Sequence, residues 1–224
     1  ALAMILNISR SISKYNEISK TSKKLIWQEN FINSIKSVSK TKVGVIGVGR
    51  IGSTLVNKLN YIGFDTLFFD PYKDYGYEKI INSRNTRSLD ELLKKSDIIS
   101  VNCDLNKNTL GLINNNFISK MKKGSSLVNT SRGKIISNLD DFFEPLKKNK
   151  INSVFLDVLP EEPPQHSKII KSWRLNEDWI SGRFIVNPHS AFYSKESYQR
   201  MRETAAKNAL NFLNKKKLDN LIYA

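Results

Sequence analysis

Three polar residues stand a few positions beyond apolar runs of the chain, and together they could move a proton on an acidic substrate. They are Arg132 in VNTSRGKI, Glu162 in LDVLPEEP and His189 in VNPHSAFYS. A histidine paired with a carboxylate can both donate and accept a proton near neutral pH. An arginine can bind a carboxylate through two parallel hydrogen bonds and polarise an adjacent carbonyl. With a nicotinamide nearby, these residue types predict hydride transfer between a 2-hydroxy acid and its 2-keto acid.

A glycine-rich stretch predicts where the nicotinamide cofactor binds. Val43 opens a short β-branched run, and Gly47, Gly49 and Gly52 then form G-x-G-x-x-G at the start of a helical pattern. Such glycines permit a tight turn, close approach of the backbone to a pyrophosphate and close packing of helix on strand. Asp70, at the end of a second strand, can accept hydrogen bonds from a ribose diol and would repel a 2′-phosphate. The stretch therefore predicts a dinucleotide site that favours NAD over NADP.

Strands and helices alternate along the rest of the chain. This alternation predicts an α/β fold, a Rossmann-like doubly wound parallel sheet with flanking helices. The predicted strands are Val43–Ile46, Thr66–Phe69, Asp97–Val101, Ser126–Asn129, Val154–Val158 and Phe184–Val186. The later predicted helices are Asn115–Lys122, ended by Gly124, then Asn138–Lys148 and Ser194–Lys217. Ligands of such sheets bind at the carboxyl ends of the strands, where all three polar candidates fall.

The amino-acid composition of the chain disfavours several classes of protein. The net charge is +15, but its lysine pairs are spread over helix ends and loops, so a solvated surface is favoured over a nucleic-acid site. A single cysteine excludes a disulfide framework and fits a cytoplasmic location. His166 and His189 are too far apart in sequence to suggest a metal site. The sequence contains no apolar run long enough to span a membrane.

Several ordered motifs carry a family resemblance across nearly the whole chain. They are VGVIGVGRIG, FDPY, LVNTSRGKII, LDVLPEEP and NPHSAFYS. With them the chain resembles the NAD-binding domain of the D-isomer-specific 2-hydroxyacid dehydrogenases. The segments VNCDLNKNTLGLIN and HSAFYS are most similar to the branch of C-terminal-binding-protein corepressors and glycerate or phosphoglycerate dehydrogenases. The resemblance implies an NAD-dependent oxidoreductase and, as the alternative, an NAD(H)-sensing interaction protein.

The resemblance also implies residue roles. Arg132 would grip the substrate carboxylate and carbonyl, His189 would be the general acid or base, and Glu162 would keep His189 protonated. Glu161 is the neighbouring candidate for that partner, and adjacency to Pro163 favours Glu162. The implied cofactor-binding residues are Gly47, Gly49, Arg50, Ile51, Gly52, Asp70, Cys103, Thr109, Thr130, Ser131, Asp157 and Ala191. A role for Cys103 as a reactive thiol is disfavoured against a place in the cofactor lining.

The chain departs from the family pattern in its domain organisation. We expect an N-terminal helix and connecting segment at 1–40, the NAD-binding domain at 41–193 and a closing helix at 194–224. The closing helix would pack toward a substrate domain, most of which the chain lacks, so a fragment is expected. Asn102 and Asp104 replace a histidine and a proline that many members carry. The expected partners are a small 2-hydroxy or 2-keto acid and a second copy of the chain in a homodimer.

Overall fold

One parallel sheet organises the structure, a computed structural model that describes residues 1–21, 31–32, 35–165 and 167–219. Its seven strands lie in the order β3-β2-β1-β4-β5-β6-β7. Their bounds are β1 Lys42–Ile46, β2 Asp65–Phe69, β3 Arg84–Asn85, β4 Ile98–Val101, β5 Ser125–Asn129, β6 Ile151–Leu156 and β7 Phe184–Val186. His166 lies outside the described residues.

The strand register aligns the ends of the central strands. Ile46, the last residue of β1, lies opposite Phe69 of β2 and opposite Val101 of β4. The chain runs from β1 outward through β2 to β3 and then returns to β4 on the other side of β1. In a parallel sheet this reversal leaves a crevice at the carboxyl ends of the two diverging strands.

Helices cover both faces of the sheet, as the doubly wound prediction requires. The helices are α1 Leu2–Arg10, α2 Ile12–Thr21, α3 Arg50–Ile62, α4 Tyr77–Ile80, α5 Leu89–Lys95, α6 Asn115–Lys120, α7 Phe143–Lys147, α8 Lys168–Arg174 and α9 Lys195–Leu213. Buried residues of α1 and α3 form one core cluster with β1, including Ile5, Val45 and Leu59. Buried residues of α5 to α8 form the second cluster, including Leu92, Phe117 and Ile169.

Three helix predictions are wrong at their ends, one of them the closing helix, which stops at Leu213 rather than Lys217. Gly124 does not end α6, which stops at Lys120 with Met121 in an extended conformation. The reason is a long-range hydrogen bond, because the N–H of Lys122 donates to Leu93 O (3.0 Å) and draws the chain toward α5. The segment predicted as a single helix after Asn138 instead begins as a 3-10 helix, Leu139–Phe142, before α7.

The chain divides into two compact units, Ala1–Pro188 and His189–Ala224. The first contains the whole sheet and also α1, whose Met4, Ile5 and Ile8 are buried beside the sheet. The second contains α9, none of whose residues is buried. In the described part of the chain, no helix has the length and apolar composition of a membrane span.

Candidate functional site

A cleft of about 990 Å³ opens at the carboxyl ends of β1, β2, β4 and β5. It lies where the strand order reverses, which is the ligand position of an open α/β sheet. The predicted site residues that line it are Gly47, Gly49, Arg50, Ile51, Asp70, Cys103, Thr109, Ser131 and Arg132. The structure therefore brings together the glycine loop, the acidic residue that follows β2 and the predicted substrate arginine.

The glycines of the loop after β1 have different physical roles. Gly47 is buried with a φ of +83°, and a Cβ there would lie 2.7 Å from the backbone of Cys103. A Cβ on Gly52 would lie 2.0 Å from Gly47 O, so this residue allows α3 to pack against the turn. A Cβ on Gly49 would meet nothing within 4 Å, so this glycine leaves open space on the cleft side. Gly52 thus contributes helix packing rather than cleft lining.

Asp70 joins the end of β2 to the glycine loop. Its Oδ2 accepts a hydrogen bond from the N–H of Val48 (2.9 Å), and its Oδ1 accepts one from the N–H of Tyr72 (3.0 Å). The carboxylate is half-buried and lines the cleft. Each carboxylate oxygen can accept more than one hydrogen bond, so the group retains capacity for a ribose diol.

The loop after β4 also lines the cleft, and it is held in shape by hydrogen bonds between its own residues. Thr109 Oγ1 donates to Asp104 O (2.7 Å) and accepts from the N–H of Asn106 (2.8 Å). Burial raises the pKa of the Cys103 thiol to about 11, with Asp104 and Asp70 adding to the shift. The thiol is therefore neutral at physiological pH, in agreement with a lining role rather than a reactive one.

The loop after β5 presents Arg132 at the cleft. The side chain of Asn129, which is fully buried, accepts from the N–H of Ser131 (3.0 Å) and donates to Arg132 O (3.1 Å). Ser131 Oγ donates to Cys103 O and so ties this loop to the β4 loop. The exposed guanidinium donates through Nη1 to Ser131 O (2.8 Å).

Gly133 lets the Arg132 loop contact the loop that carries Glu162. A Cβ on Gly133 would lie 1.8 Å from Leu159 O, so only glycine permits this approach. Glu162 Oε1 accepts a hydrogen bond from the N–H of Leu159 (2.9 Å), which holds the carboxylate to its own loop. Glu161 and Glu162 are both exposed.

Other predicted residues lie outside the cleft lining, as far as the structure describes the chain. Thr130 follows β5 and is half-buried, whereas Asp157 is 1% exposed and follows β6. His189 and Ala191 belong to the second compact unit. There, His189 has a φ of +51°, and its ring lies edge-on to Phe192 with centroids 5.9 Å apart.

Three further residues line the cleft. Tyr72 follows Asp70 and Pro71, so from the sequence it could stack near an adenine or simply be a turn residue, and Asn102 stands out in the sequence only as a departure from the family pattern. Asn108 was missed by sequence reasoning, and its Nδ2 donates to Tyr72 Oη (3.2 Å). Asn129 and Gly133 position Arg132 without lining the cleft. The signal available for Asn129 was an amide residue just before a tight turn, since such side chains often bond to the backbone two residues ahead.

The residues present fit a dinucleotide. Gly49 begins α3 without a side-chain cap, and the first N–H groups of a helix have no intrahelical acceptor. These N–H groups and the open space at Gly49 suit a pyrophosphate, and Asp70 suits a ribose. Among the described residues, His, Cys, Asp and Glu side chains form no group of three that could hold a metal ion.

Comparison with known proteins agrees with this fit. Residues 2–191 match the family model for D-isomer specific 2-hydroxyacid dehydrogenase, NAD binding domain. The chain is 31% identical to a glyoxylate reductase of Thermofilum pendens, covering 95% of this chain and 60% of that protein. It is 30% identical to a hydroxypyruvate reductase of Blautia hydrogenotrophica, covering 95% of this chain and 63% of the relative.

A solved structure of similar sequence has the same fold. It is the D-lactate dehydrogenase of Aquifex aeolicus in complex with NAD and lactic acid, with a TM-score of 0.78 and 30% identity. The match covers 95% of this chain and 64% of that chain. This chain therefore spans roughly three fifths of its relatives' length. By motif, fold and cleft together, the chain belongs to the NAD-binding domain family of the D-isomer specific 2-hydroxyacid dehydrogenases.

Proposed function

We propose that the chain is the cofactor-binding and proton-transferring part of an NAD-dependent D-2-hydroxyacid dehydrogenase. The observation that carries the proposal is the cleft, in which the glycine loop and Asp70 lie together with Arg132. One region of the cleft suits a dinucleotide, and the guanidinium suits an acidic substrate. The relatives are named for reducing or oxidising small 2-keto or 2-hydroxy acids, which favours an enzyme over a corepressor-like sensor.

The proposed reaction reversibly converts a 2-keto acid into a D-2-hydroxy acid. Held by the glycine loop and Asp70, a bound nicotinamide cofactor would supply the hydride chemistry. Arg132 holds the substrate carboxylate and polarises its carbonyl. His189 donates a proton to the carbonyl oxygen as the ketone becomes an alcohol, and it removes that proton in the reverse direction. Glu162 stabilises the protonated imidazole.

The cofactor-binding roles within the proposal follow the same geometry. Arg50 and Ile51 meet the pyrophosphate at the start of α3, and Asp70 meets the adenosine ribose. Cys103, Thr109 and Ser131 line the cleft, and in this proposal they contact the nicotinamide half of the cofactor. For Thr130, Asp157 and Ala191 only the family resemblance supports a contact. The homodimer, the cytoplasmic location and the corepressor or phosphoglycerate dehydrogenase branch likewise remain predictions from sequence.

Titration of the chain with NADH, followed by nicotinamide fluorescence, tests the cofactor. Asp70→Ala is expected to weaken binding about tenfold or more, because hydrogen bonds to a charged group are stronger than neutral ones. Asp74→Ala is the matched control, since Asp74 is an exposed acid that does not line the cleft. Equal binding by both variants would contradict the role of Asp70.

Measurement of 2-keto acid turnover tests the proposed dehydrogenase reaction. Glyoxylate, hydroxypyruvate and pyruvate are added to the NADH-bound chain, and NADH oxidation is followed by absorbance. Oxidation by any of these acids supports the dehydrogenase. NADH binding with no oxidation of NADH by any of them would contradict catalysis by this chain on its own.

A further inference from the structure

Val48 lies in the middle of the glycine loop. Its backbone N–H and its carbonyl oxygen both form hydrogen bonds with side chains of the segment after β2. The Val48 N–H donates to Asp70 Oδ2 (2.9 Å). The Val48 carbonyl oxygen accepts from Tyr77 Oη (3.2 Å), and Tyr77 is the first residue of α4. The Val48 side chain is itself fully buried. The loop residue is therefore fixed before any cofactor arrives.

A second hydroxyl strengthens this arrangement. Ser53 Oγ lies 2.8 Å from Val48 O, 2.8 Å from Gly49 O and 2.8 Å from Tyr77 Oη. Both hydroxyls therefore lie within hydrogen-bond distance of the Val48 carbonyl, and Ser53 Oγ lies within that distance of the Gly49 carbonyl as well. Independently of these bonds, the first N–H groups of α3 have no intrahelical acceptor, and no side chain caps the helix.

The ring of Tyr77 is held in place by its surroundings. It lies edge-on to Phe68 with centroids 6.2 Å apart, and Phe68 is fully buried. Lys73 Nζ lies 4.8 Å from the centroid of the same ring. The hydroxyl is therefore presented to Val48 O by a packed aromatic group rather than by a freely rotating one.

We propose that Tyr77, with Ser53, is a positioning residue for the pyrophosphate-binding loop, a proposal that rests on the proposed function. The carbonyl of Val48 and the N–H of Gly49 belong to the same peptide group. A hydrogen bond donated to that carbonyl polarises the peptide and makes the Gly49 N–H a stronger donor to an anion. Tyr77 thus acts on the pyrophosphate through the peptide without touching it.

Tyr77→Phe removes the hydroxyl and keeps the ring. We expect it to raise the Kd of ADP-ribose about fivefold, the loss of roughly one ordinary hydrogen bond, with the Kd of adenosine unchanged. Both ligands are measured by displacement of NADH. Tyr75→Phe is the matched control, because Tyr75 lies two residues away and is 95% exposed. Ser53→Ala is expected to show the same selectivity for the ligand that carries a pyrophosphate.

Amide hydrogen exchange of the free chain gives a readout that needs no cofactor. Tyr77→Phe is expected to speed exchange of the Val48 N–H about fivefold, and Tyr75→Phe is not. Unchanged exchange and unchanged ADP-ribose binding in Tyr77→Phe would overturn the proposal. An equal loss of adenosine and ADP-ribose binding would also overturn it, since Tyr77 would then support the whole cleft. Failure of the unsubstituted chain to bind NADH would contradict the cofactor assignment, while the exchange measurement would still test the positioning of the loop.

Discussion

The two compact units differ in how their functional residues are held. In the first unit, side chains such as Leu59, Phe68 and Phe155 are at most 2% exposed, and they fix the strands from which the cleft loops extend. In the second, α9 buries nothing, and Met201 and Phe212 are 52% and 71% exposed. The start of α9 is stabilised locally, by a capping box between Ser194 and Ser197. Cofactor binding thus depends on a packed core, whereas the predicted proton donor His189 belongs to the unit whose helix has no buried residue.

The largest effect on activity is expected from substitution of His189. This substitution tests whether catalysis and cofactor binding depend on different units. His189→Gln should lower the rate of 2-keto acid reduction by about 10²- to 10⁴-fold, because general acid catalysis is lost. NADH affinity should stay within about twofold of the unsubstituted chain, since every lining residue of the cleft lies in the first unit. Lys195→Gln, an exposed change at the start of α9, serves as control. A His189→Gln variant with full activity would contradict the assignment.

The reactivity of the Cys103 thiol measures how far this side chain is buried in the first unit. With its pKa raised from 9.0 to about 11 by burial, its thiolate at pH 8 should be about a hundredfold scarcer than in an unfolded chain. Alkylation by iodoacetamide should slow by a similar factor, and the only cysteine makes whole-chain labelling specific. The folded state should also lose stability as the pH rises from about 9 toward 11, because the unfolded chain releases the thiol proton first. Labelling as fast as in urea would show that the thiol is exposed.

Substitution of two glycines distinguishes a role in helix packing from a role in leaving space for the cofactor. Gly52→Ala should lower the free energy of unfolding by about 1–3 kcal/mol, because its Cβ would lie 2.0 Å from Gly47 O. Gly49→Ala should leave the free energy of unfolding unchanged or slightly raised, since nothing lies within 4 Å of its Cβ, and yet weaken NADH binding. Urea unfolding and NADH titration measure the two effects. Equal destabilisation by both changes would contradict this division of roles.

The smallest effect is expected on α9. Met201→Ser should change the free energy of unfolding of the first unit by less than about 0.5 kcal/mol, because Met201 is 52% exposed and belongs to the other unit. Urea unfolding followed by tryptophan fluorescence reports on the first unit, since Trp173 and Trp179 pack against its core. A loss comparable to that of Gly52→Ala would show that the first unit depends on α9.

Much of the cleft was predictable because its signals are local. The glycine loop and Asp70 directly follow β1 and β2, Arg132 comes three residues after the end of β5, and the carboxyl ends of parallel strands meet at one edge of the sheet. The role of Gly133 could not be predicted from its motif, because it depends on a contact with Leu159, which lies far along the chain. Tyr77 was missed for the same reason, since its partner Val48 belongs to a different strand–helix unit.

The sequence by itself determined the glycine turn, the strand and helix that flank it, and the alternation that makes the sheet parallel. These features follow from backbone freedom and from side-chain periodicity over a few residues. Only the tertiary structure decided that α6 ends at Lys120, that α1 packs against α3, β4 and β5, and which loops touch. Those outcomes depend on hydrogen bonds and packing between residues far apart in the chain, such as Lys122 N–H with Leu93 O, which local patterns do not encode.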